Sequence, residues 1–186
     1  MKIRAELGSG HGLRGQVDIQ CAALKLLYDR QYFVVREDTM ALAKLKKVDL
    51  REEWKNEASD FTSWLAQDEN LQLLSEEIGI DISLIQTEAS VGKFSVDILA
   101  EEENTGRKVV IENQLEPTNH DHLGKIITYA SGFDAEIVIW IVKDVRDEHK
   151  QAVDWLNDHT DDKINIFAIR MELWQIGDSP YAPKFY

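Results

Sequence analysis

Two apolar runs separated by a turn constrain the fold more than any other part of this sequence. The first run is residues 94–100, FSVDILA, and the second is residues 108–115, KVVIENQL. Each run is rich in β-branched and apolar residues and contains no proline, which is typical of a strand. Asn104 and Gly106 lie between the runs and favour a tight turn. The sequence therefore predicts a β-hairpin.

Acidic residues interrupt both predicted strands at positions where a buried strand does not normally tolerate charge. Asp97 lies in the first strand and Glu112 in the second. Successive side chains of a strand point to opposite faces, so Glu112 and Gln114 are expected on one face. If Asp97 faces the same way, two carboxylates converge among apolar residues, and such a pair favours a cation between its members. The simpler alternative is a carboxylate pair at a strand edge that points into solvent.

The segments on either side of the hairpin predict an α/β fold, a mixed central sheet flanked by helices. Before the hairpin, an amphipathic helix is expected from Asp49, a second helix over 70–78 that ends at Gly79, and a strand over 82–87. The apolar stripe of the first helix recurs every three or four residues, at Trp54, Ala58, Phe61, Trp64 and Leu65.

After the hairpin, the pattern predicts a helix that begins near Asp121 and ends at Gly132, and then a strand covered on both faces over 135–142. A further helix over 147–158, with Trp155 directed inward, and a last strand over 164–169 complete the order. The tail over 177–185 has no periodicity and is expected to wrap the surface.

Length and composition limit the organisation of the chain and its partners. The 186 residues suit one domain, assigned to 40–186, preceded by an extension of uncertain structure over 1–39. No apolar run approaches the roughly 20 residues that cross a bilayer, and a single Cys21 favours a reducing cytoplasm. A net charge of −13 argues against bulk electrostatic binding of nucleic acid, but it permits a local site with divalent cations and a few basic residues.

The acidic residues of the hairpin resemble the core motif of the PD-(D/E)XK, or restriction-endonuclease-like, superfamily. Asp97 is followed, after fourteen residues, by Glu112-Asn113-Gln114 and then by a predicted helix. The longer string IENQLEPTNHDHLGKIITYASGFDA, together with VIWI and GDSPYAPKF, is similar to bacterial nuclease-like proteins. The resemblance implies an αβββαβ core and a metal-dependent nuclease that hydrolyses phosphodiester bonds of nucleic acid, with DNA as the expected substrate.

The resemblance also implies a set of site residues. Asp97 and Glu112 would bind Mg²⁺ or Mn²⁺, with the backbone carbonyl of Asn113 as a third ligand. Gln114 stands where the superfamily usually has lysine and would position a water, and Glu57 matches an additional carboxylate found in many members. The amide of Gln114 cannot supply positive charge, so either Lys93 or Lys125 is expected to supply it.

Residues after the hairpin are expected on the substrate side of the site. His122 and Lys125 open the helix that follows the second strand, and helix N-termini attract phosphate. His120 and His122 are two residues apart, but capping, phosphate contact or exposure is favoured over a zinc site. Tyr129 fits either the core or the site.

A second hypothesis retains the fold without the reaction. In it the chain is a catalytically inactive nucleic-acid-binding or protein-interaction module, in a homodimer or in a larger phage-defence or repair assembly. The acidic balance and the missing lysine favour this alternative. An enzyme acting on a small phosphorylated molecule is disfavoured, because no glycine-rich phosphate loop is present.

Overall fold

A seven-stranded mixed sheet organises the part of the chain that the structure, a computed structural model, describes: residues 42–186. The predicted extension over 1–39 lies outside these residues. The sheet order is β1-β6-β5-β4-β3-β2, and β7 also pairs with β6. The strands are β1 Leu45–Val48, β2 Ile82–Val91, β3 Phe94–Glu102, β4 Lys108–Pro117, β5 Ile137–Asp144, β6 Asn165–Ile176 and β7 Ala182–Phe185.

The helices cover both faces of this sheet. They are α1 Leu50–Glu53, a π-helical turn Glu57–Thr62, α2 Ser63–Leu65, α3 Asp68–Ile78, α4 His120–Phe133 and α5 Asp147–His159. One apolar core lies between the sheet and the elements from α1 to α3, and a second lies between the sheet, α4 and α5. The order α3, β2, β3, β4, α4, β5 confirms the predicted αβββαβ core.

The parallel centre of the sheet is formed by β4, β5 and β6. Residues 137–142 of β5 are buried on both faces, as the nearly continuous apolar run predicts. The predicted hairpin is also confirmed: β3 and β4 pair antiparallel, and Gly106 in their connection has a φ of 70°. Gly79 likewise ends α3 with a φ of 71°, in the left-handed region that favours glycine.

The prediction of one amphipathic helix from Asp49 is wrong. The helix α1 ends at Glu53, Trp54 has an extended backbone, and a new helical segment begins after Asn56. The side chain of Asn56 accepts a hydrogen bond from the amide of Ser59, and the amide of Asn56 donates to the carboxylate of Asp60. These reciprocal caps favour a second helix start over continuation of the first.

Three other expectations differ from the structure. The tail is not without regular structure, because β7 pairs with residues 171–174 of β6, which itself extends to Ile176. Trp155 is 57% exposed and stacks on His159, with 4.5 Å between ring centroids, so it does not point inward. The helix α4 ends at Phe133, one residue beyond Gly132, with Asp134 as its left-handed cap.

No helix within residues 42–186 is both long enough and apolar enough to cross a membrane.

Candidate functional site

Asp97 and Glu112 lie opposite each other on neighbouring strands. The β3–β4 register pairs Ile98 with Ile111, which places Asp97 across from Glu112. Because side chains alternate along a strand, Glu112 shares the face of Val110, which packs in the core beneath α4. The backbone amide of Asn113 donates to Oδ2 of Asp97 over 2.7 Å. The sequence expectation that the two acids share a face therefore agrees with the geometry.

The surroundings of the two carboxylates disfavour their charged forms. Burial raises the pKa of Asp97 to about 6, with smaller contributions from the charges of Glu88 and Glu57, against the lowering effect of the Asn113 amide. Burial, followed by the charge of Asp97, raises the pKa of Glu112 to about 8. Oε2 of Glu112 is buried and has no hydrogen-bond partner among residues 42–186. The hydrogen-bond donors and positive charge around the pair therefore do not offset the cost of burying it.

Lys125 supplies part of the missing charge from α4. Its Nζ atom lies 3.6 Å from Oε1 of Glu112, an ion-pair distance that is longer than a good hydrogen bond. The Lys125 side chain is 44% exposed, so solvent weakens the interaction. The lysine charge opposes the rise in the pKa of both carboxyl groups without reversing it. Lys125 is thus a cation that faces the carboxylates and remains accessible from outside.

Glu57 and His122 approach the same region from two different elements. Glu57 begins the π-helical turn, is hydrogen-bonded to the guanidinium of Arg51, and helps to raise the pKa of Asp97. His122 lies in the first turn of α4, where its amide and its ring Nδ1 both contact Oδ1 of Asn119, at 2.9 and 3.0 Å. Burial and the charge of Lys125 lower the pKa of the His122 imidazole, so it is neutral near pH 7.

Gln114 does not join this group. Its side-chain amide nitrogen, Nε2, donates to the carbonyl of Pro117 over 2.8 Å, and its Oε1 accepts from the indole of Trp140 over 3.2 Å. Both ends of the amide are therefore held by the protein, and Gln114 is 2% exposed. The expectation that Gln114 positions a water receives no support from this geometry, because the side chain instead ties β4 to β5.

Lys93 and Asn113 also differ from the simplest expectation. Lys93 lies in the exposed turn between β2 and β3, four residues before Asp97, or ~13 Å along an extended strand. It is not among the groups that shift the pKa of Asp97 or Glu112. The side chain of Asn113 points to the opposite face of the sheet, where it bonds to Thr62, while its backbone remains beside Asp97.

The two histidines near the start of α4 diverge. Nδ1 of His120 lies 2.9 Å from Nε2 of His149, a buried residue of α5 whose Nδ1 contacts Oγ1 of Thr118 at 2.8 Å. His122 instead contacts Asn119, and the charges of Lys125 and Glu57 act on its pKa. The pairing of His120 with His149 links α4 to α5, and it could not be anticipated from the spacing of His120 and His122.

Sequence reasoning missed Glu88 and left Tyr129 undecided. The β2–β3 register places Glu88 across from Asp97, although Glu88 interrupts the pairing with a φ of 50°, an unusual value for a residue other than glycine. Tyr129 is buried on α4, and burial followed by the charges of Glu112, Asp97 and Glu88 raises its pKa. Its spacing of four residues from Lys125 was the available signal, since that spacing puts both on one helix face.

The donor set suits a hard divalent cation held by few protein ligands. Within residues 42–186, no group of three or more His, Cys, Asp and Glu side chains is arranged to hold a metal ion. Mg²⁺, however, is commonly bound by one or two carboxylates and keeps several waters. The unpartnered Oε2 of Glu112 and the mutual repulsion of Glu112 and Asp97 fit such a cation.

No family model matches the sequence, and a search of curated proteins finds no significant match. Among solved structures, a repair endonuclease from Pyrococcus abyssi is 11% identical over 62% of this chain and 46% of its own, with a TM-score of 0.46. A complex of EndoMS with dsDNA is 12% identical over 56% of this chain and 45% of its own, with a TM-score of 0.37. The chain thus spans less than half the length of either structure.

Proposed function

We propose that this protein is a metal-dependent nuclease of the restriction-endonuclease-like superfamily, which hydrolyses phosphodiester bonds of nucleic acid, with DNA as the expected substrate. The observation that carries the proposal is the pair formed by half-buried Asp97 and buried Glu112 on adjacent strands, with one oxygen of Glu112 left without a partner in the described residues. A buried pair of like charges is costly unless something from outside the chain compensates it. A bound divalent cation would compensate the negative charge of the two carboxylates, and it would also promote hydrolysis of a phosphodiester bond.

Asp97 and Glu112 would hold Mg²⁺ or Mn²⁺, together with the backbone carbonyl of Asn113 that the superfamily motif implies. Oxygen ligands of this kind suit a hard cation. When bound, the cation polarises the scissile phosphate and makes a nearby water more acidic. The amide of Asn113 orients Asp97 by its 2.7 Å hydrogen bond, so this carboxylate is fixed before any ligand arrives.

Lys125 takes the role that the superfamily assigns to the lysine replaced here by Gln114. Its ammonium faces Oε1 of Glu112 and is accessible, so it can donate to a phosphate oxygen as negative charge develops there. His122, neutral and in the first turn of the same helix, is placed to contact phosphate. Glu57 is held by Arg51 near Asp97 and adds negative charge to the cation site.

The negative net charge of the chain limits how a nucleic-acid substrate can be bound. With a net charge of −13, the protein as a whole repels a phosphate backbone. Binding of nucleic acid is therefore expected to depend on the divalent cation and on Lys125, rather than on a broad basic surface. The role in a homodimer or in a defence or repair assembly, suggested by the sequence, remains part of the hypothesis.

Metal binding and cleavage, measured together, test the proposal. Purified protein is titrated with Mn²⁺ by calorimetry and incubated with Mn²⁺ or Mg²⁺ and single- and double-stranded DNA and RNA. Wild type and Glu101→Gln, which alters an exposed carboxylate of β3, are expected to bind Mn²⁺ and to cleave at least one substrate. Asp97→Asn is expected to do neither. Absence of both activities in the wild type overturns the proposal.

The alternative is a nuclease-fold module that binds without cleaving. The observation that favours it is the amide of Gln114, which is held by Trp140 and Pro117 at a position where the superfamily normally has a lysine. In the same experiment, wild-type protein that binds Mn²⁺ and nucleic acid but cleaves no substrate supports this alternative. Cleavage that is lost in Asp97→Asn excludes it.

A further inference from the structure

A buried hydrogen bond connects the segment that carries Glu57 to the strand that carries Glu112. Nδ2 of Asn113 donates to Oγ1 of Thr62 over 2.9 Å. Thr62 is the last residue of the π-helical turn, Glu57 is its first, and Thr62 and Asn113 are each 2% exposed. Because both partners are shielded from water, this bond fixes the end of the turn against β4 more strongly than an exposed bond would.

Asn113 also touches one of the candidate metal ligands through its main chain. Its amide donates to Oδ2 of Asp97, while its side chain points to the other face of the sheet. The turn that begins with Glu57 packs against β3, the strand of Asp97, as well as against β4. The bond of Thr62 to Asn113 therefore holds a turn that lies beside both strands of the carboxylate pair.

The hydrogen-bonded pair of Thr62 and Asn113 is less favourable for stability than a pair of apolar residues would be. Oδ1 of Asn113 is buried and has no hydrogen-bond partner within the described part of the chain. An unsatisfied buried acceptor costs about 1–3 kcal/mol, whereas apolar residues of similar size at both positions would avoid that cost. The surrounding core is apolar, so valine at 62 and leucine at 113 would suit it. A requirement other than packing accounts for this pair.

The turn itself is an irregular element that needs to be held. π-helical turns are rare and occur frequently at functional sites. Here Phe61 is fully buried between Trp54 and Trp64, at centroid distances of 4.9 and 5.5 Å, which anchors the middle of the turn. At the outer end, Arg51 binds Glu57 and lies 3.4 Å from Oε1 of Glu116. At the inner end, the hydroxyl group of Thr62 bonds to Asn113 of β4.

We propose that Thr62 and Asn113 are positioning residues, whose buried hydrogen bond sets the π-helical turn so that Glu57 is directed at the Asp97–Glu112 pair. The inference rests on the proposed metal-dependent function. Neither residue's side chain needs to touch substrate: both act through the placement of Glu57 and of the β4 backbone beside Asp97.

Near-isosteric substitution separates this role from a structural one. Thr62→Val removes the hydroxyl group and keeps the shape of the side chain. It is expected to weaken Mn²⁺ binding and to lower kcat roughly 10- to 100-fold, the usual effect of removing a residue that orients a metal ligand, with KM for DNA unchanged. Thr62→Ser restores the hydroxyl group and is expected to restore both values. The double variant Thr62→Val/Asn113→Leu should be at least as stable as the wild type and remain defective.

Ser75→Ala is the matched control. Ser75 is also a buried hydroxyl residue, and its Oγ accepts from the amide of Ile82 over 3.1 Å, away from the carboxylates. This variant should lose stability and keep wild-type Mn²⁺ affinity and kcat. If Thr62→Val does no more than Ser75→Ala, or if Thr62→Ser fails to rescue, the positioning role is excluded.

Amide hydrogen exchange distinguishes failure of this inference from failure of the proposed function. In metal-free protein, Thr62→Val is expected to accelerate exchange over residues 57–62 and not over α5. If Thr62→Val exchanges faster over 57–62 but the wild type neither binds Mn²⁺ nor cleaves nucleic acid, Thr62 does position the turn against β4, and it is the proposed nuclease function that is overturned. Unchanged exchange over 57–62 overturns the inference, whatever the wild type does.

Discussion

Glu112 and Glu172 are buried to almost the same extent, but their pKa values are shifted in opposite directions. They are 5% and 6% exposed, respectively, and both lie on strands of the sheet. Burial raises the pKa of the Glu172 carboxyl group, but the hydrogen bond and charge of Lys47 outweigh it, so the pKa falls below its ordinary value. The pKa of Glu112 is instead raised to about 8 by burial and by Asp97. Burial alone therefore does not decide the charge of these residues.

The difference lies in the partners that the chain supplies. Glu172 accepts from Nζ of Lys47 at 2.7 Å and from the indole of Trp174 at 3.0 Å, and Arg170 lies 3.2 Å away. The ion pair of Glu112 with Lys125 is longer, at 3.6 Å, and Oε2 of Glu112 has no hydrogen-bond partner in the described residues. Glu172 is a structural carboxylate, because side chains of the protein supply its hydrogen bonds and positive charge. Glu112 is almost equally buried, but its Oε2 lacks such a partner in that part of the chain, so it is available to bind a ligand. This is the reason for assigning the site to Glu112.

The largest expected effect follows from removing the charge of Glu112. Glu112→Gln should abolish detectable Mn²⁺ binding and lower cleavage about 1,000-fold, because one of only two side-chain ligands is lost from a preorganised site. Calorimetry and a cleavage assay at pH 8 measure both quantities. Glu172→Gln, at equal burial, should change neither. If the two variants lose activity equally, the distinction between the two glutamates is wrong.

Glu112→Gln, which should lower activity, is expected to raise the stability of the metal-free protein. The folded pKa of Glu112 is raised from 4.5 to about 8, so between these pH values the folded state retains a proton that the unfolded state releases. The free energy of unfolding should therefore fall as pH rises from about 5 to 8. Glu112→Gln should flatten this decline and be more stable than the wild type at pH 8, by about 2 kcal/mol. Urea denaturation in the presence of a chelator measures this.

Lys125 gives the next largest effect and separates binding from cleavage. Lys125→Met should lower kcat about 100-fold, since the positive charge that faces the site is lost, while Mn²⁺ affinity is kept or increased because a competing cation is removed. Lys163→Met, on an exposed loop, is the matched control. Lys93→Met tests the other lysine that the sequence offered, and the exposed position of Lys93 predicts a much smaller loss. A larger loss in Lys93→Met than in Lys125→Met would reverse the assignment.

Glu172→Gln should affect stability and leave the site intact. Loss of charge weakens the contacts with Lys47 and Arg170, which are partly exposed, so a decrease of about 1–2 kcal/mol in the free energy of unfolding is expected at pH 7. The folded pKa of Glu172 is lowered, so this contribution is present above the unfolded pKa and is lost as pH falls through the folded pKa. The difference between wild type and variant should therefore shrink in acid, as thermal denaturation can show.

The sequence predicted the αβββαβ order and the pairing of Asp97 with Glu112 because both depend on short-range signals. Apolar periodicity marks the strands, and a hairpin brings its own two strands together. Glu172 gave no such signal, since its partner Lys47 is 125 residues away in sequence. The partner of Gln114, Trp140, comes from the next strand of a parallel pair, whose register no local pattern specifies.

The elements that were predicted wrongly have similar causes. The break between α1 and the π-helical turn depends on the caps formed by Asn56 and Asp60 and on aromatic packing around Phe61, which compete with the helical period of the apolar residues. The strand β7 exists because β6 extends far enough to pair with it, so its short sequence is ordered by a tertiary contact. Periodicity alone cannot anticipate either outcome.

Tyr129 gives the smallest of the expected effects and extends the comparison to an uncharged group. Burial and the charges of Glu112, Asp97 and Glu88 raise the pKa of its hydroxyl group, so it remains a hydrogen-bond donor at any pH at which the site works. It lies one helical turn beyond Lys125. Tyr129→Phe should lower kcat roughly 3- to 10-fold, equivalent to one neutral hydrogen bond, without changing the melting temperature.

Tyr181→Phe is the control for that substitution, because Tyr181 packs against the core on the opposite face of the sheet from α4. It should retain wild-type kcat. If Tyr129→Phe also retains wild-type kcat and stability, its hydroxyl group is a neighbour of the carboxylates that takes no part in the reaction. In that case the donors available to a substrate reduce to Lys125 and His122, and the loss in Lys125→Met should account for almost all of the catalysis contributed by α4.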